Sequence, residues 1–217
     1  MRVARGTAST MVRAPSGETP SFMPSTTTIL LLIGAYLLGS IPFGVVLTRL
    51  GGAGDLRQIG SGNIGATNVL RTGRKGLAAA TLLLDGGKGA AAVLIAQMVQ
   101  PDMALWAGAA AFIGHLYPVW LKFNGGKGVA TMLGVSLAAW WPAGIAFAIV
   151  WLAMLALTRR SSVGGLSGAV TAPIAAAAGG QSDAVLVMLA MALFVVWKHR
   201  GNITRLLDGT EPRVGER

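Results

Sequence analysis

The stretch that decides the fold is VATMLGVSLAAWWPAGIAFAIVWLAMLALT, which runs from Val129 to Thr158 without a single charged residue. A helix of about 20 apolar residues crosses a bilayer, so this stretch is too long for one crossing. Trp140, Trp141 and Pro142 stand at its middle, and a proline beside tryptophans is typical of a tight reversal at a membrane surface. The stretch therefore predicts two membrane helices, the first of them short.

The composition of the whole chain agrees with a membrane protein. Of its 217 residues 53% are hydrophobic and 12% are charged, against about 25% charged residues in a soluble domain. The net charge of +10 does not indicate a nucleic-acid binder, because the basic residues lie in gaps between apolar runs and not on one water-exposed face. With no cysteine, two histidines and scattered acidic residues, we do not expect a metal site supplied by the protein alone.

Five further apolar runs bring the number of predicted membrane helices to seven, or to five if the short ones are re-entrant. We therefore expect an all-α integral membrane protein, a bundle of about seven transmembrane helices of which some are short or broken. The five runs are Ile29 to Leu50, Leu77 to Val99, Met103 to Leu121, Val163 to Ala178 and Ala184 to Trp197.

The distribution of positive charge predicts an orientation for this bundle. With seven spans, 14 of the 18 Lys and Arg residues fall on one side, and the short connections on the other side hold none. The positive-inside rule then places the N-terminus outside and the C-terminus in the cytoplasm. Residues 1–28 are expected to form a disordered, non-cytoplasmic leader, residues 29–200 the transmembrane domain and residues 201–217 a cytoplasmic tail.

One predicted cytoplasmic loop, KFNGGKGVAT from Lys122 to Thr131, surrounds a lysine with three glycines. Glycine lets several backbone N–H groups approach one ligand, and Lys127 adds a full positive charge beside them, as an anion site requires. An ordinary turn with a lysine as membrane anchor is the alternative. The loop does not match a nucleotide P-loop, because no Ser or Thr follows Lys127.

Two other polar segments fall on the same side as this loop. The first, from Asp55 to Arg71, is dense in Gly, Ser, Asn and Thr, whose hydroxyl, amide and backbone groups bind oxyanions. Its G-x-G-x-x-G pattern does not predict a dinucleotide fold, because no strand precedes it. The second is the tail, whose basic residues suit a lipid surface, although such an anchor requires neither His199 nor Asn202.

Five motifs occur together and in fixed order, and through them the chain resembles the bacterial acyl-phosphate:glycerol-3-phosphate acyltransferase (PlsY) family. The resemblance runs from about Ile29 to Glu211. It implies a membrane enzyme of the bacterial inner (plasma) membrane with cytoplasmic phosphate-binding loops, no cofactor, and a monomer supplied by an acyl-phosphate-forming enzyme. The motifs are GSIPFG at 39–44, GSGNIGATN at 60–68 followed by Arg71, GHLYP at 114–118, GGKGVAT at 125–131 and NITRLL at 202–207.

The resemblance also implies a reaction and a set of site residues. A fatty acyl group would pass from acyl-phosphate to the 1-hydroxyl of glycerol 3-phosphate, which gives 1-acylglycerol 3-phosphate (lysophosphatidic acid) and phosphate, the entry to phospholipid synthesis. The implied catalytic residues are Ser61, Arg71, Lys127, His199 and Asn202. The implied phosphate-binding residues are Gly60, Gly62, Asn63, Thr67, Asn68, Gly125, Gly126, Gly128 and Arg205.

The base of the reaction has two candidates. Many glycerolipid acyltransferases use a His-x-x-x-x-Asp pair, but Trp120 stands five residues after His115. The family is thought to let the phosphate of the donor accept the proton, with positioning and electrostatics left to the protein. His199 is the competing general base. His115 itself is expected to bond a loop carbonyl, and Asp85 with Lys88 to pair on one helix face.

Two functions of other classes are alternatives to the acyltransferase. A transporter of a small phosphorylated solute would also combine phosphate-binding loops with broken helices, but the connections on the opposite side are too short and too apolar to form a gate. A phosphotransferase acting on an activated alcohol would need an acidic metal cluster, and the eight Asp and Glu residues are scattered.

Overall fold

The structure is a computed structural model that describes residues 24–215. Residues 1–23 of the predicted leader, and the last two residues of the tail, lie outside the described residues. Within the described range the chain forms ten α-helices and no strand. The helices are α1 Thr26–Ser40, α2 Phe43–Leu50, α3 Ala66–Leu70, α4 Lys75–Val99, α5 Ala104–Leu116, α6 Val129–Ala139, α7 Trp141–Thr158, α8 Ser161–Ala178, α9 Ser182–Lys198 and α10 Arg200–Leu207.

Length and composition identify the helices that can cross a membrane. Four are long and apolar enough, namely α4, α5 together with its flanking turns, α7 and α8. Two bent pairs, α1 with α2 and α9 with α10, raise the number to six. Helix α6 has only 11 residues and is the short span predicted for the first half of the 129–158 stretch. The prediction of an all-α membrane bundle with short and broken helices is confirmed.

The predicted reversal inside the 129–158 stretch is present. Helix α6 ends at Ala139 and α7 begins at Trp141, and Trp140 between them is extended, with φ −155°. Pro142 falls in the first turn of α7, where a missing N–H costs no helical hydrogen bond. The two tryptophans and the proline therefore separate two antiparallel helices.

The first predicted span is not continuous. The chain leaves α1 at Ser40 and enters α2 at Phe43, with a bend of 41° between the helices. Pro42 has no N–H to donate, and it holds Ile41 in an extended conformation, with φ −63° and ψ 116°. Helix α1 begins at Thr26, three residues before the predicted start of the span. The bend leaves the Ile41 carbonyl outside the helical hydrogen-bond ladder.

The connections between helices gather at two ends of the bundle. At one end, here called the charged end, Lys127 contacts Asn202 of α10, and the Val214 N–H donates to the Arg159 carbonyl at 2.7 Å. At the opposite end, Thr28 donates its hydroxyl to the Gln100 side chain at 3.0 Å. The charge of Arg71 in the first polar segment also acts on Lys127, so the three polar segments singled out in the sequence lie at the same end.

Small residues let the helices pack closely around a core. Helix α7 packs on α8, α4 on α6 and α1 on α5, with many Ala and Gly residues at the contacts, as in other membrane bundles. Phe112 of α5, Phe147 of α7 and Met188 of α9 are completely buried and fill the space between these pairs. This core fixes the helix ends from which the polar segments emerge.

Candidate anion-binding site at the charged end

Asn68 organises the first loop, which connects α2 to α4. Its buried side-chain amide donates to the carbonyls of Leu56, Ile59 and Asn63 at 2.8 to 3.0 Å. Its Oδ1 accepts the Ser61 N–H at 3.2 Å. The sequence predicts Asn68 as a phosphate ligand, whereas the structure commits its whole amide group to the loop backbone. Asn68 therefore shapes this loop.

The same loop presents Arg71 beside a tight glycine turn. Gly60 and Gly62 have φ of +55° and +69°, a region that glycine adopts without strain. The Arg71 side chain lies over this turn, since a Cβ on Gly60 would be 2.8 Å from its Nη1. Among residues 24–215 the Arg71 guanidinium has no hydrogen-bond or ion-pair partner. It is thus available to an anion.

The remaining predicted residues of the first loop differ in whether their side chains are free to bind a ligand. Asn63 uses its Oδ1 to accept the Gly65 N–H at 3.0 Å, in the turn that precedes α3. Ser61 and Thr67 have exposed side chains, and the Ser61 hydroxyl lies 3.5 Å from the Asn68 Oδ1. These two hydroxyls are exposed together with Arg71 on this loop.

The Gly-Gly-Lys-Gly loop, residues 125–128, lies directly on the end of α5. The Gly125 N–H donates to the Leu116 carbonyl at 3.2 Å, and the Gly126 N–H donates to the His115 carbonyl at 3.0 Å. A Cβ on Gly126 would lie 2.0 Å from the His115 Nε2. The sequence predicts that these two glycines hold phosphate, but their N–H groups are used within the protein. Their smallness instead lets the loop dock on α5.

Lys127 and the start of α6 form the available part of this loop. The Lys127 ammonium donates to the Asn202 Oδ1. Gly128, with φ +87°, ends the loop, and α6 begins at Val129 without a side-chain cap. The first N–H groups of an uncapped helix have no helical partner and attract anions. Lys127 therefore places its charge beside a set of open backbone donors.

Glu211, which is not among the predicted site residues, completes the site from the tail. Its carboxylate accepts hydrogen bonds from Ser162 and Asn202, both at 2.6 Å, and from Arg205 at 2.8 Å. Burial raises the pKa of Glu211, but these three hydrogen bonds outweigh it and hold the pKa below its usual value. Glu211 fixes Asn202, which in turn holds Lys127. No local sequence pattern distinguishes Glu211 from a solvated tail residue.

Electrostatics make the site a receptor for negative charge. Burial is the main cause that lowers the pKa of Lys127 to about 8. The charge of Glu211 acts in the opposite direction, and those of Arg205 and Arg71 lower the pKa further. One carboxylate faces three cations, so an anion that entered would relieve their mutual repulsion.

His199 lies at the junction of α9 and α10. Its ring is buried, and Nδ1 is 2.8 Å from the Val195 carbonyl. A carbonyl only accepts, so Nδ1 carries the proton and Nε2 keeps a lone pair. The ring faces α8, where a Cβ on Gly165 would be 3.7 Å from Nε2. The geometry suits a hydrogen-bond acceptor close to Lys127.

Three titratable residues lie below the site, inside the bundle. Lys88 pairs with Asp85 at 2.7 Å, as predicted from their spacing. The His115 ring does not bond a loop carbonyl, contrary to expectation, and its Nδ1 has no hydrogen bond with any described residue. Instead, the backbone carbonyl of His115 accepts a hydrogen bond from the loop.

Comparison with known proteins identifies the family. The family model described as glycerol-3-phosphate acyltransferase matches residues 29–209. Among relatives with that name, the protein of Novosphingobium aromaticivorans is 62% identical, covering 88% of this chain and 96% of its own. The protein of Zymomonas mobilis is 55% identical, covering 87% and 96%.

Solved structures agree with this match. The crystal structure of PlsY (YgiH), an integral membrane glycerol 3-phosphate acyltransferase, in its glycerol 3-phosphate form has a TM-score of 0.83 and 37% identity, covering 87% of this chain and 96% of that one. Its lysophosphatidic acid form has a TM-score of 0.80 and 36% identity, covering 86% and 95%. The chain, a multi-pass integral membrane acyltransferase, therefore belongs to the glycerol-3-phosphate acyltransferase family.

Proposed function

We propose that this protein transfers a fatty acyl group from acyl-phosphate to the 1-hydroxyl of glycerol 3-phosphate, which yields 1-acylglycerol 3-phosphate and phosphate. The observation that carries the proposal is the arrangement around Lys127. A half-buried ammonium, held by Asn202 beside the uncapped start of α6, shares a site with Arg71 and Arg205. Two substrates that both carry phosphate need such a concentration of positive charge at the end of an apolar bundle.

The reaction needs little covalent chemistry from the protein. The oxygen of the 1-hydroxyl forms an ester bond with the acyl carbon, and the bond between that carbon and the phosphate oxygen breaks. The hydroxyl proton passes to the leaving phosphate, so no further reactant is required. Lys127 and Arg71 hold the phosphates and stabilise the charge that develops on the acyl oxygen and the leaving group, while Ser61 and Thr67 offer hydroxyls for orientation.

The hydroxyl proton can pass either to the leaving phosphate or to His199, and a His199 variant distinguishes these two routes. With Nδ1 bound to the Val195 carbonyl, the free Nε2 could orient a substrate hydroxyl or take its proton. We propose that it orients the hydroxyl. A His199→Gln variant, which keeps a hydrogen-bonding side chain but has no basic nitrogen, should then retain turnover within about tenfold of the wild type. A loss beyond about 10³-fold would assign the base to His199, since general bases typically contribute 10²–10⁴-fold.

An apolar groove offers a place for the acyl chain. Between α5 and α9 lies a groove of about 450 Å³, lined among others by Phe112, Met191 and Phe194. The groove extends from Asp102 and Asp183 to Phe112, whose ring packs against Gly128, the residue after Lys127. We propose that the donor's hydrocarbon chain lies here. An Ala190→Trp variant should raise the KM for palmitoyl-phosphate and leave the KM for glycerol 3-phosphate unchanged. The control, Ala153→Trp on α7, should change neither KM. If Ala190→Trp has the same KM for palmitoyl-phosphate as this control, the acyl chain does not lie in the groove.

The charge distribution supports an orientation in the membrane. Because 14 of the 18 Lys and Arg residues belong to the charged end by sequence, we propose that this end is cytoplasmic in a bacterial inner membrane and that the N-terminus is outside. The described residues of one chain supply all parts of the site, which supports a monomer. An acyl-phosphate-forming enzyme must provide the donor. Labelling of an engineered cysteine at Asn124 from only one side of intact cells tests the orientation.

The decisive experiment measures phosphate release by purified, detergent-solubilised protein. Palmitoyl-phosphate with glycerol 3-phosphate should give release that requires both substrates, and palmitoyl-coenzyme A should not replace the donor. A Lys127→Ala variant should lose at least 10²–10³-fold in kcat, while Lys122→Ala, at an exposed position five residues earlier, should stay near wild type. If the wild-type protein is monodisperse and folded and still gives no turnover, the proposed acyltransferase function is wrong. Uptake of glycerol 3-phosphate by proteoliposomes would then favour transport.

A further inference from the structure

Lys88 is a buried charge in the middle of α4 that the proposed reaction does not use. Its side chain is 1% exposed, and its ammonium donates to the Asp85 carboxylate at 2.7 Å and to the Ile41 carbonyl at 2.8 Å. The ring of Phe43 lies 5.6 Å away. Ile41 and Phe43 flank Pro42, so Lys88 is bonded to the point where the first membrane span breaks. Lys88 thereby sets how α2 leaves α1.

Helix α2 carries this geometry to the first loop. Gly44, in its first turn, lies so close to the loop that a Cβ there would be 2.0 Å from the Ile64 carbonyl. Ile64 stands between Asn63 and Gly65, in the stretch that Asn68 holds in shape. A shift of α2 would therefore move this loop and with it Arg71.

On its other side the same group of residues reaches the Gly-Gly-Lys-Gly loop. The His115 Nδ1 lies 3.6 Å from the Asp85 Oδ1, and both side chains are buried. The His115 ring packs on Gly126, and its backbone carbonyl holds the Gly126 N–H at 3.0 Å. A continuous series of contacts thus runs from Ile41 through Lys88, Asp85 and His115 to the residue before Lys127.

We propose that Asp85, Lys88 and His115, here called the buried cluster, are positioning residues that fix the first loop relative to the Gly-Gly-Lys-Gly loop. Stability alone does not explain them, since apolar residues of similar volume often replace a buried ion pair without loss. A charge in a membrane helix is also costly. The proposal rests on the proposed function, because it assumes that Arg71 and Lys127 act on the same reaction.

Paired variants separate positioning from stability. Lys88→Met leaves the Asp85 charge buried without its ammonium, so it should lower both Tm and kcat. The double variant Asp85→Asn with Lys88→Met removes both charges and should recover much of the Tm. Its kcat should still be about 10²-fold below wild type, because the bond from the Lys88 ammonium to the Ile41 carbonyl is lost and a misplacement of about 1 Å costs that much. The KM for glycerol 3-phosphate should change much less.

A second measurement does not depend on activity. The sequence has no cysteine, so spin labels attached to Gln58→Cys and Asn124→Cys, both exposed positions, report only the separation of the two loops. Electron paramagnetic resonance should give a narrow distance distribution in otherwise wild-type protein and a broader or shifted one when the double variant is added. Ser136→Ala, a change to another buried polar residue of the bundle, should leave the distribution narrow.

The outcomes have distinct meanings. A double variant that recovers both Tm and kcat would overturn the proposal, because the cluster would then serve stability only. So would a distance distribution identical to wild type. A broadened distribution together with low kcat supports it. If the wild-type protein shows no turnover, the proposed function fails, and the distance distributions still decide whether the buried cluster positions the loops.

Discussion

The two loops of the site look alike in sequence and are built in different ways. In the first loop one side chain, the amide of Asn68, shares its two N–H donors among three backbone carbonyls, and the loop needs no contact from a neighbouring helix for these bonds. In the Gly-Gly-Lys-Gly loop the backbone itself bonds to the carbonyls of His115 and Leu116 on α5. The first loop is shaped from within, and the second is docked on the bundle.

This difference extends to the charge that each loop presents. Lys127 is held by Asn202, which is itself held by Glu211, so its position is fixed before any substrate binds. Arg71 is exposed and has no partner among the described side chains. A preorganised cation lowers the reorganisation needed in the transition state, whereas a free guanidinium can follow a phosphate as it arrives. Lys127 should thus tolerate less change than Arg71.

The largest effect is expected where the second loop docks. In Gly126→Ala the new Cβ would lie 2.0 Å from the His115 Nε2, so the loop must lift from α5 and carry Lys127 with it. We expect kcat/KM to fall by about 10²-fold, measured by phosphate release. Gly76→Ala is the control, since a Cβ there meets nothing within 4 Å. Equal activities of the two variants would show that the loop is not docked in this way.

A smaller effect is expected where the first loop is held from within. Asn68→Ala leaves three carbonyls without their amide donor, a local cost of about 1–3 kcal/mol. Amide hydrogen exchange in residues 56–65 should accelerate, and kcat/KM should fall by several tens-fold. Gln58→Ala, which removes an exposed amide of the same loop, should change neither. Unaltered exchange in the Asn68 variant would mean that another contact holds the loop.

The sequence predicts most of what helix length and charge determine. Trp140 to Pro142 marks the α6–α7 reversal because proline and tryptophan have strong positional preferences in membrane helices. The distribution of Lys and Arg between the two sides correctly predicts that loops far apart in sequence lie at one end of the bundle. The break at Pro42 was not predicted, because the apolar run from Ile29 to Leu50 has no polar interruption and membrane helices often tolerate proline.

Other features depend on contacts that no local pattern contains. Gly125 and Gly126 fit an anion cradle in sequence, and only the docking of the loop on α5 shows that their N–H groups are occupied. Glu211 resembles a solvated tail residue until the tail folds back to Ser162 of α8. The site's cations were therefore predictable by type and side of the membrane, whereas the groups that hold them were not.

A test of the free and the fixed cation compares charge-conserving exchanges. Arg71→Lys keeps the charge but loses the planar fork of donors, so kcat/KM should fall by about tenfold. Lys127→Arg should cost more than Arg71→Lys, because the Lys127 ammonium is held by the Asn202 Oδ1 and a larger guanidinium must change that contact. Arg74→Lys, at the exposed start of α4, should stay near wild type. The reverse order of the first two losses would contradict the assignment of Lys127 as the fixed cation.

The smallest expected effect is a dependence of kcat/KM on pH that arises from Lys127 and not from Arg71. The pKa of Lys127 is lowered to about 8, so the free enzyme keeps its ammonium below that pH and loses it above. If the charged form binds phosphate, kcat/KM for glycerol 3-phosphate should be flat just below pH 8 and fall up to tenfold per unit above it, because kcat/KM follows the free enzyme. Arginine does not titrate in this range, so the Arg71→Lys and Lys127→Arg variants should differ. The residual activity of Lys127→Arg should show no fall near pH 8, and a fall that persists there would assign the titration to a group outside this loop.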